Sequence, residues 1–261
     1  MPRNGRLRLG LVTYLVGKDL DLESLITLCE KTGLEGLELR TTHAHGVELS
    51  LTPAERERVR KRFEATPVVL AVLGSICEYH SPDAAVVRRN VEETKRWLHL
   101  AHDVGALGVK VRPNGLPEGV PVEKTLSEIA GAIAECGDAA ESVGKDIFIE
   151  VHGGGTSDPP RMKAILDACP SPRIGATWNC NPTDLEDGSI EWTYRLLSPR
   201  VRMAHIHDLY EGYPYKQELF PAMLRDSFGG YCLIEMAQTA DPERVLRYYR
   251  RLFDEMVEAC A

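Results

Sequence analysis

No two of the seven cysteines form a C-x-x-C pair; they stand singly at positions 29, 77, 136, 169, 180, 232 and 260. An odd, scattered set excludes a zinc ribbon and speaks against a disulfide framework, so reduced thiols are expected. Long hydrophobic runs are missing too. The basic start Met-Pro-Arg-Asn-Gly-Arg leads into an apolar segment of strand length, with no signal-peptide core and nothing long enough to span a bilayer. The expectation is a cytoplasmic protein with no membrane partner. Basic charge is in deficit: 31 Lys and Arg against 39 Asp and Glu leave a formal charge of −8. That is the wrong sign for a nucleic-acid binder, whose affinity rests on neutralising phosphates. A local basic pocket for one small anion is compatible with it. There is no low-complexity tract, domain linker or internal repeat beyond a strand-and-helix period, so one domain over residues 1–261 is expected.

What the chain does contain is an alternation. Arg6 to Tyr14 is apolar and β-friendly, and Asp21 to Gly33 follows with helical spacing of Leu22, Leu25, Ile26 and Cys29. Gly33 is placed to end that helix in a left-handed conformation. Leu34 to Arg40 reads as a second strand, with Glu38 and Arg40 on one face. Thr52-Pro53 then starts a helix with a capping threonine and proline in the first turn. The unit repeats through strands at Pro67 to Ile76, Gly105 to Arg112, and those ending near Glu150, Asn179, His207 and Glu235. Eight strands each followed by a helix imply right-handed parallel βαβ crossovers. At this length they predict an α/β fold closed into a (β/α)8 TIM barrel, eight parallel strands with outer helices. An open doubly wound sheet would want a Gly-rich phosphate turn after the first strand, and Gly10-Leu-Val-Thr-Tyr-Leu-Val-Gly17 lacks that spacing.

Four late strands end on side chains of metal-binding type: Glu150, Asn179, His205 with His207, and Glu235. In a barrel these ends meet at the C-terminal mouth, so we read them as one site. Period-two geometry puts Glu150 with His152 and Phe148 on one face, His205 with His207, and Lys110 with Arg112. Oxygen-rich ligands with one imidazole suit Mn²⁺, Mg²⁺, Co²⁺ or Zn²⁺. Glu150 and Glu235 are then placed to move a proton beside an ion-polarised carbonyl. Lys110, Arg112 and Arg40 are candidate anchors for a substrate anion; the bland alternative pairs them with Glu38 or Glu78. Trp178 has the wrong parity for the lumen and is expected to pack against a helix.

The motifs Ile149-Glu150-Val-His152-Gly, Trp178-Asn179, Arg200-Val-x-x-x-His205-Ile-His207-Asp208 and Gly230-Tyr-Cys-Leu-Ile-Glu235 resemble the xylose isomerase-like barrel superfamily over nearly the whole chain. That resemblance implies a divalent-metal-dependent isomerase or epimerase of a small sugar, sugar phosphate or sugar-derived keto compound, acting by proton transfer through an enediolate. It implies Glu150 and Glu235 as catalytic residues and ligands, Asn179 and His205 as further ligands, and a homodimer. His205 fits the H-x-x-D spacing, and His207 lies on the same face one step nearer the mouth. Two positions depart from the family pattern: Asn179 stands where an Asp is usual, and His207 where a Lys is usual. Either the site is re-tuned, with His152 or His207 helping, or strong metal binding is lost. The alternatives are an inosose-type dehydratase on the same site and a barrel that binds a metabolite without turnover.

Overall fold

The computed structural model describes residues 6–210 and 212–260. Eight parallel strands close into a barrel: β1 (Arg8–Val12), β2 (Gly36–Arg40), β3 (Val69–Glu78), β4 (Gly108–Arg112), β5 (Asp146–Glu150), β6 (Ile174–Trp178), β7 (Val201–Ile206) and β8 (Tyr231–Ile234). Each pairs with its neighbours in chain order, and β1 closes the ring against β8. The helices α1 (Leu22–Thr32), α2 (Pro53–Glu64), α3 (Ala84–Val104), α4 (Val122–Val143), α5 (Pro159–Asp167), α6 (Glu191–Leu197), α7 (Phe220–Arg225) and α8 (Pro242–Glu258) follow the strands one by one. The expected (β/α)8 barrel is the observed one.

Local chemistry explains where the elements start and stop. Thr52 closes a full capping box with Glu55 at the start of α2, with Pro53 in its first turn. Gly33 ends α1 in the left-handed region. Gly105 does the same for α3 (φ 82°), so it belongs to the helix end and the next strand begins only at Gly108. The segment before α7 begins as one π-helical turn, Tyr215–Leu219, and becomes α-helical at Phe220.

Two apolar sets divide the interior. Outward-facing strand residues such as Leu37, Leu39, Val109, Val111 and Trp178 pack under the helices. Trp178 meets Tyr194 of α6 edge-on, as its parity predicts. Inward-facing Val12, Val72, Phe148, Met203, Tyr231 and Leu233 fill the lower lumen. Glycine is required where these rings press on the wall. A Cβ at Gly36 would lie 2.7 Å from the Tyr231 ring, and one at Gly108 would lie 2.1 Å from the Asp146 carbonyl oxygen. This floor closes the lumen from below, so inward residues further along the strands open only toward the mouth.

Candidate active site

Above the floor the inward positions turn from apolar to charged within one step of each strand. Met203 gives way to His205, Phe148 to Glu150, Leu233 to Glu235, Gly108 to Lys110 and Gly36 to Glu38. The result is a layer of ionisable groups set on an apolar base. His205 is wholly buried at its centre. Its Nε2 lies 2.9 Å from Glu38 Oε2. Its Nδ1 faces three oxygens: Asn179 Oδ1 at 3.1 Å, Glu150 Oε1 at 3.3 Å and Glu235 Oε2 at 3.5 Å. Lys110 completes the layer, donating to Glu150 Oε2 at 2.9 Å and standing 3.4 Å from Glu38 Oε1.

Burial penalises every charge here, and the neighbours overturn the penalty. Desolvation pushes the Glu150 and Glu235 carboxyls up, but Lys110 and His205 outweigh it and hold both well below the usual carboxylate range. Desolvation pushes Lys110 down, and Glu150, Glu38 and Glu235 together hold it above an ordinary lysine. His205 is driven well above the usual imidazole value against its own burial, by Glu38 and Glu235 first. A buried imidazole between carboxylates on both sides keeps its proton because Lys110 alone does not neutralise them.

Glu150, His205 and Glu235 each offer one ligand atom, and these atoms lie within 4.8 Å of one another, a group that could hold a metal ion. The donor set suits a hard divalent ion. Two buried carboxylates, Glu38 and Glu150, and the half-buried Glu235 face a single permanent cation, Lys110. A divalent ion with a neutral His205 would balance that layer. Glu38 has the position of an outer carboxylate that fixes a ligating histidine's tautomer through the opposite ring nitrogen. Its Oε1 has no hydrogen-bond partner.

The other expected residues sit around this centre in distinct ways. Asn179 is buried in the turn after β6, and its Nδ2 donates to Asn181 Oδ1 at 3.2 Å, which turns its Oδ1 toward His205. Asn181 is itself tied: its Nδ2 donates to the Val151 carbonyl at 2.6 Å and its N–H to Asp184 Oδ2 at 2.7 Å. His207 approaches Glu235 Oε2 at 3.7 Å from the rim and is about one-third exposed. His152 stands higher, with its Nδ1 bonded to Asn114 Oδ1 at 2.7 Å and its pKa lowered, chiefly by burial. Lys110 does pair with Glu38, and Arg112 with Glu78, as the bland alternative had it. Both also line the mouth cavity, as does Arg40. The glycines Gly153 and Gly154 form a two-residue parallel ladder with Asn114 and Gly115.

The cavity above the layer has a volume of about 390 Å³, and Glu150, Asn179, His207, Glu235, Arg40 and Arg112 are among its lining residues. Sequence reasoning missed the roles of Glu38 and Asn181. Glu38 had a visible signal, a carboxylate at an inward position of an apolar strand. Asn181 had none, because its bonds are made across a turn.

A closed parallel barrel with its ionisable groups at the C-terminal strand ends has the form of the enzyme barrels. The chain belongs to the xylose isomerase-like TIM barrel family, whose model matches residues 26–256. No curated protein sequence matches it significantly. Among solved structures it is similar to an L-ribulose 3-epimerase (TM-score 0.82, 16% identity, 98% of this chain and 96% of that one). It is also similar to a D-psicose 3-epimerase determined in the presence of D-fructose (0.77, 14%, 97% and 100%). A third similar structure is the IOLI protein with a binding zinc atom (0.70, 14%, 97% and 98%). At these identities the likeness is one of fold.

Proposed function

We propose that this barrel is a divalent-metal-dependent isomerase or epimerase of a small polyhydroxy ketone. The observation that carries it is the convergence of Glu150, His205 and Glu235 ligand atoms, with Asn179 Oδ1 beside them, at the base of a polar cavity. Epimerase activity among the structural neighbours supports the reaction type, and the zinc-bound neighbour supports the cofactor class. A bound ion would polarise the substrate carbonyl and stabilise negative charge developing on its oxygen.

The chain's own residues supply the rest. Glu150 and Glu235 come from different strands and are held ionised, so either can take the proton from the carbon beside the carbonyl. Return of that proton by the same carboxyl to the former carbonyl carbon, with the hydroxyl proton of the first carbon passing to the former carbonyl oxygen, isomerises the ketone. Delivery to the opposite face of the first carbon by the other carboxyl, once protonated from the mouth, epimerises it. Lys110 anchors Glu150 from below and Glu38 orients His205, so neither carboxylate nor imidazole needs to reorganise during transfer.

Proton NMR in deuterium oxide tests the reading. The Mn²⁺-loaded protein should exchange the hydrogen beside the carbonyl of at least one ketose from a panel, and Glu235→Gln should abolish that exchange with the fold intact. Full exchange in Glu235→Gln would refute the assignment. A product lighter by one water would mark the dehydratase alternative instead.

A further inference from the structure

The mouth carries positive charge that the proposed chemistry does not use. Lys110 is matched by Glu150 and Glu38, and Arg112 by Glu78. Arg40 is different. Among the described residues its guanidinium has no ion-pair partner and no hydrogen bond. It lies over the ring of Tyr14, 4.5 Å from the centroid, and both residues line the cavity. Its main chain is clamped on both sides, by Thr13 Oγ1 accepting from the amide at 3.0 Å and His45 Nε2 on the carbonyl at 2.7 Å. A guanidinium held by stacking, and not by a carboxylate, keeps its in-plane N–H fork available. Arg112 adds a second unused donor, a buried Nε with no acceptor.

From this arrangement we infer that the substrate carries an anionic group, a carboxylate or a phosphate, on its non-reacting end, bound by Arg40 with Arg112. The inference rests on the metal-centre reading above and names the substrate class for it. Charge balance gives the reason. The carboxylates Glu38, Glu78, Glu150 and Glu235 face the cations Lys110, Arg112 and Arg40, one negative charge in excess with neutral histidines. A divalent ion reverses that to one positive charge, located at Arg40. A monoanion completes the balance. A neutral sugar could accept from Arg112 Nε through a hydroxyl but would leave Arg40 without a counterion in a partly desolvated cavity. In a chain of formal charge −8 the cationic excess at Arg40 is a local feature.

Three ketoses that differ only at C6 test the inference: D-fructose, D-fructose 6-phosphate and D-fructuronate, titrated calorimetrically into the Mn²⁺-loaded full chain. A charged ketose should bind at least about tenfold more tightly than D-fructose, and which of the two wins identifies phosphate or carboxylate as the recognised group. Arg40→Gln should remove that advantage while leaving the affinity for Mn²⁺ unchanged. Equal affinity for the three, no binding of either charged ketose at millimolar concentration, or an advantage that survives Arg40→Gln would overturn it. A separate Mn²⁺ titration without sugar reports on the metal centre alone. If that fails, the same three ketoses titrated into metal-free protein still show whether the Arg40-dependent preference exists.

Discussion

Asn179→Asp is the most informative single change, because it puts a carboxylate into a setting built around an amide. Asn179 Nδ2 donates to Asn181 Oδ1 at 3.2 Å. An aspartate would place an acceptor against that acceptor. Asn181 cannot turn to meet it without abandoning the Val151 carbonyl, to which its Nδ2 donates at 2.6 Å. Either way one buried polar group loses its partner, at a cost of about 1–3 kcal/mol. The new carboxylate also faces Glu150 and Glu235 around one imidazole, which adds to the cost in the metal-free protein. For a chain of this length the loss corresponds to a melting temperature lower by about 2–10 °C in chelator. Mn²⁺ would meet three carboxylates where the natural chain offers two, so the stabilisation by saturating Mn²⁺ should be larger in the variant. Thermal unfolding with chelator and with Mn²⁺ measures both effects. In an Asn181→Ala background the penalty of Asn179→Asp should shrink, a coupling that a double-mutant cycle reads directly. Unchanged stability in chelator, an unchanged Mn²⁺ response and strict additivity with Asn181→Ala would refute the proposed orientation of Asn179.

Lys110→Met removes the one permanent cation below the centre and leaves Glu38 and Glu150 without it, so denaturant unfolding should show a loss of about 3–5 kcal/mol; a loss under about 1 kcal/mol would mean the layer is neutralised some other way. Asp184 lies buried behind the Asn179 turn, accepts from Tyr213 Oη at 2.8 Å and has its other oxygen unpartnered, and burial pushes its carboxyl up to about 7. Its folded pKa exceeds the unfolded one, so the folded state binds the extra proton and stability should fall as pH rises from about 4 to about 7. Asp184→Asn should flatten that slope in a pH series of unfolding curves; an identical slope would place its origin elsewhere.

The barrel was legible in the sequence because its signals are local. Period-two apolar runs, a capping threonine before Pro53 and a stop at Gly33 each depend on a few neighbouring residues, and their regular alternation leaves few topologies. Strand parity likewise assigned the inward or outward face of Phe148, Trp178, Glu150 and Lys110, since successive strand side chains alternate faces whatever lies across the barrel. What parity cannot supply is the partner. Whether Lys110 meets substrate or Glu38 depends on the stagger of β2, β4 and β5 around the closed ring. Whether His152 reaches the centre or is held by Asn114 depends on a two-residue ladder between separate loops. The orientation of the Asn179 amide is set by Asn181, whose own bonds run to Val151 and Asp184 across the turn. Arg40 is left without a counterion among the described residues, its guanidinium lying over the Tyr14 ring. The sequence thus determined which residues stand at the mouth and which way they point. Only the closed tertiary structure decided which of their charges are spent on one another and which remain for a ligand, because that pairing is made by side-chain atoms from strands far apart in the chain.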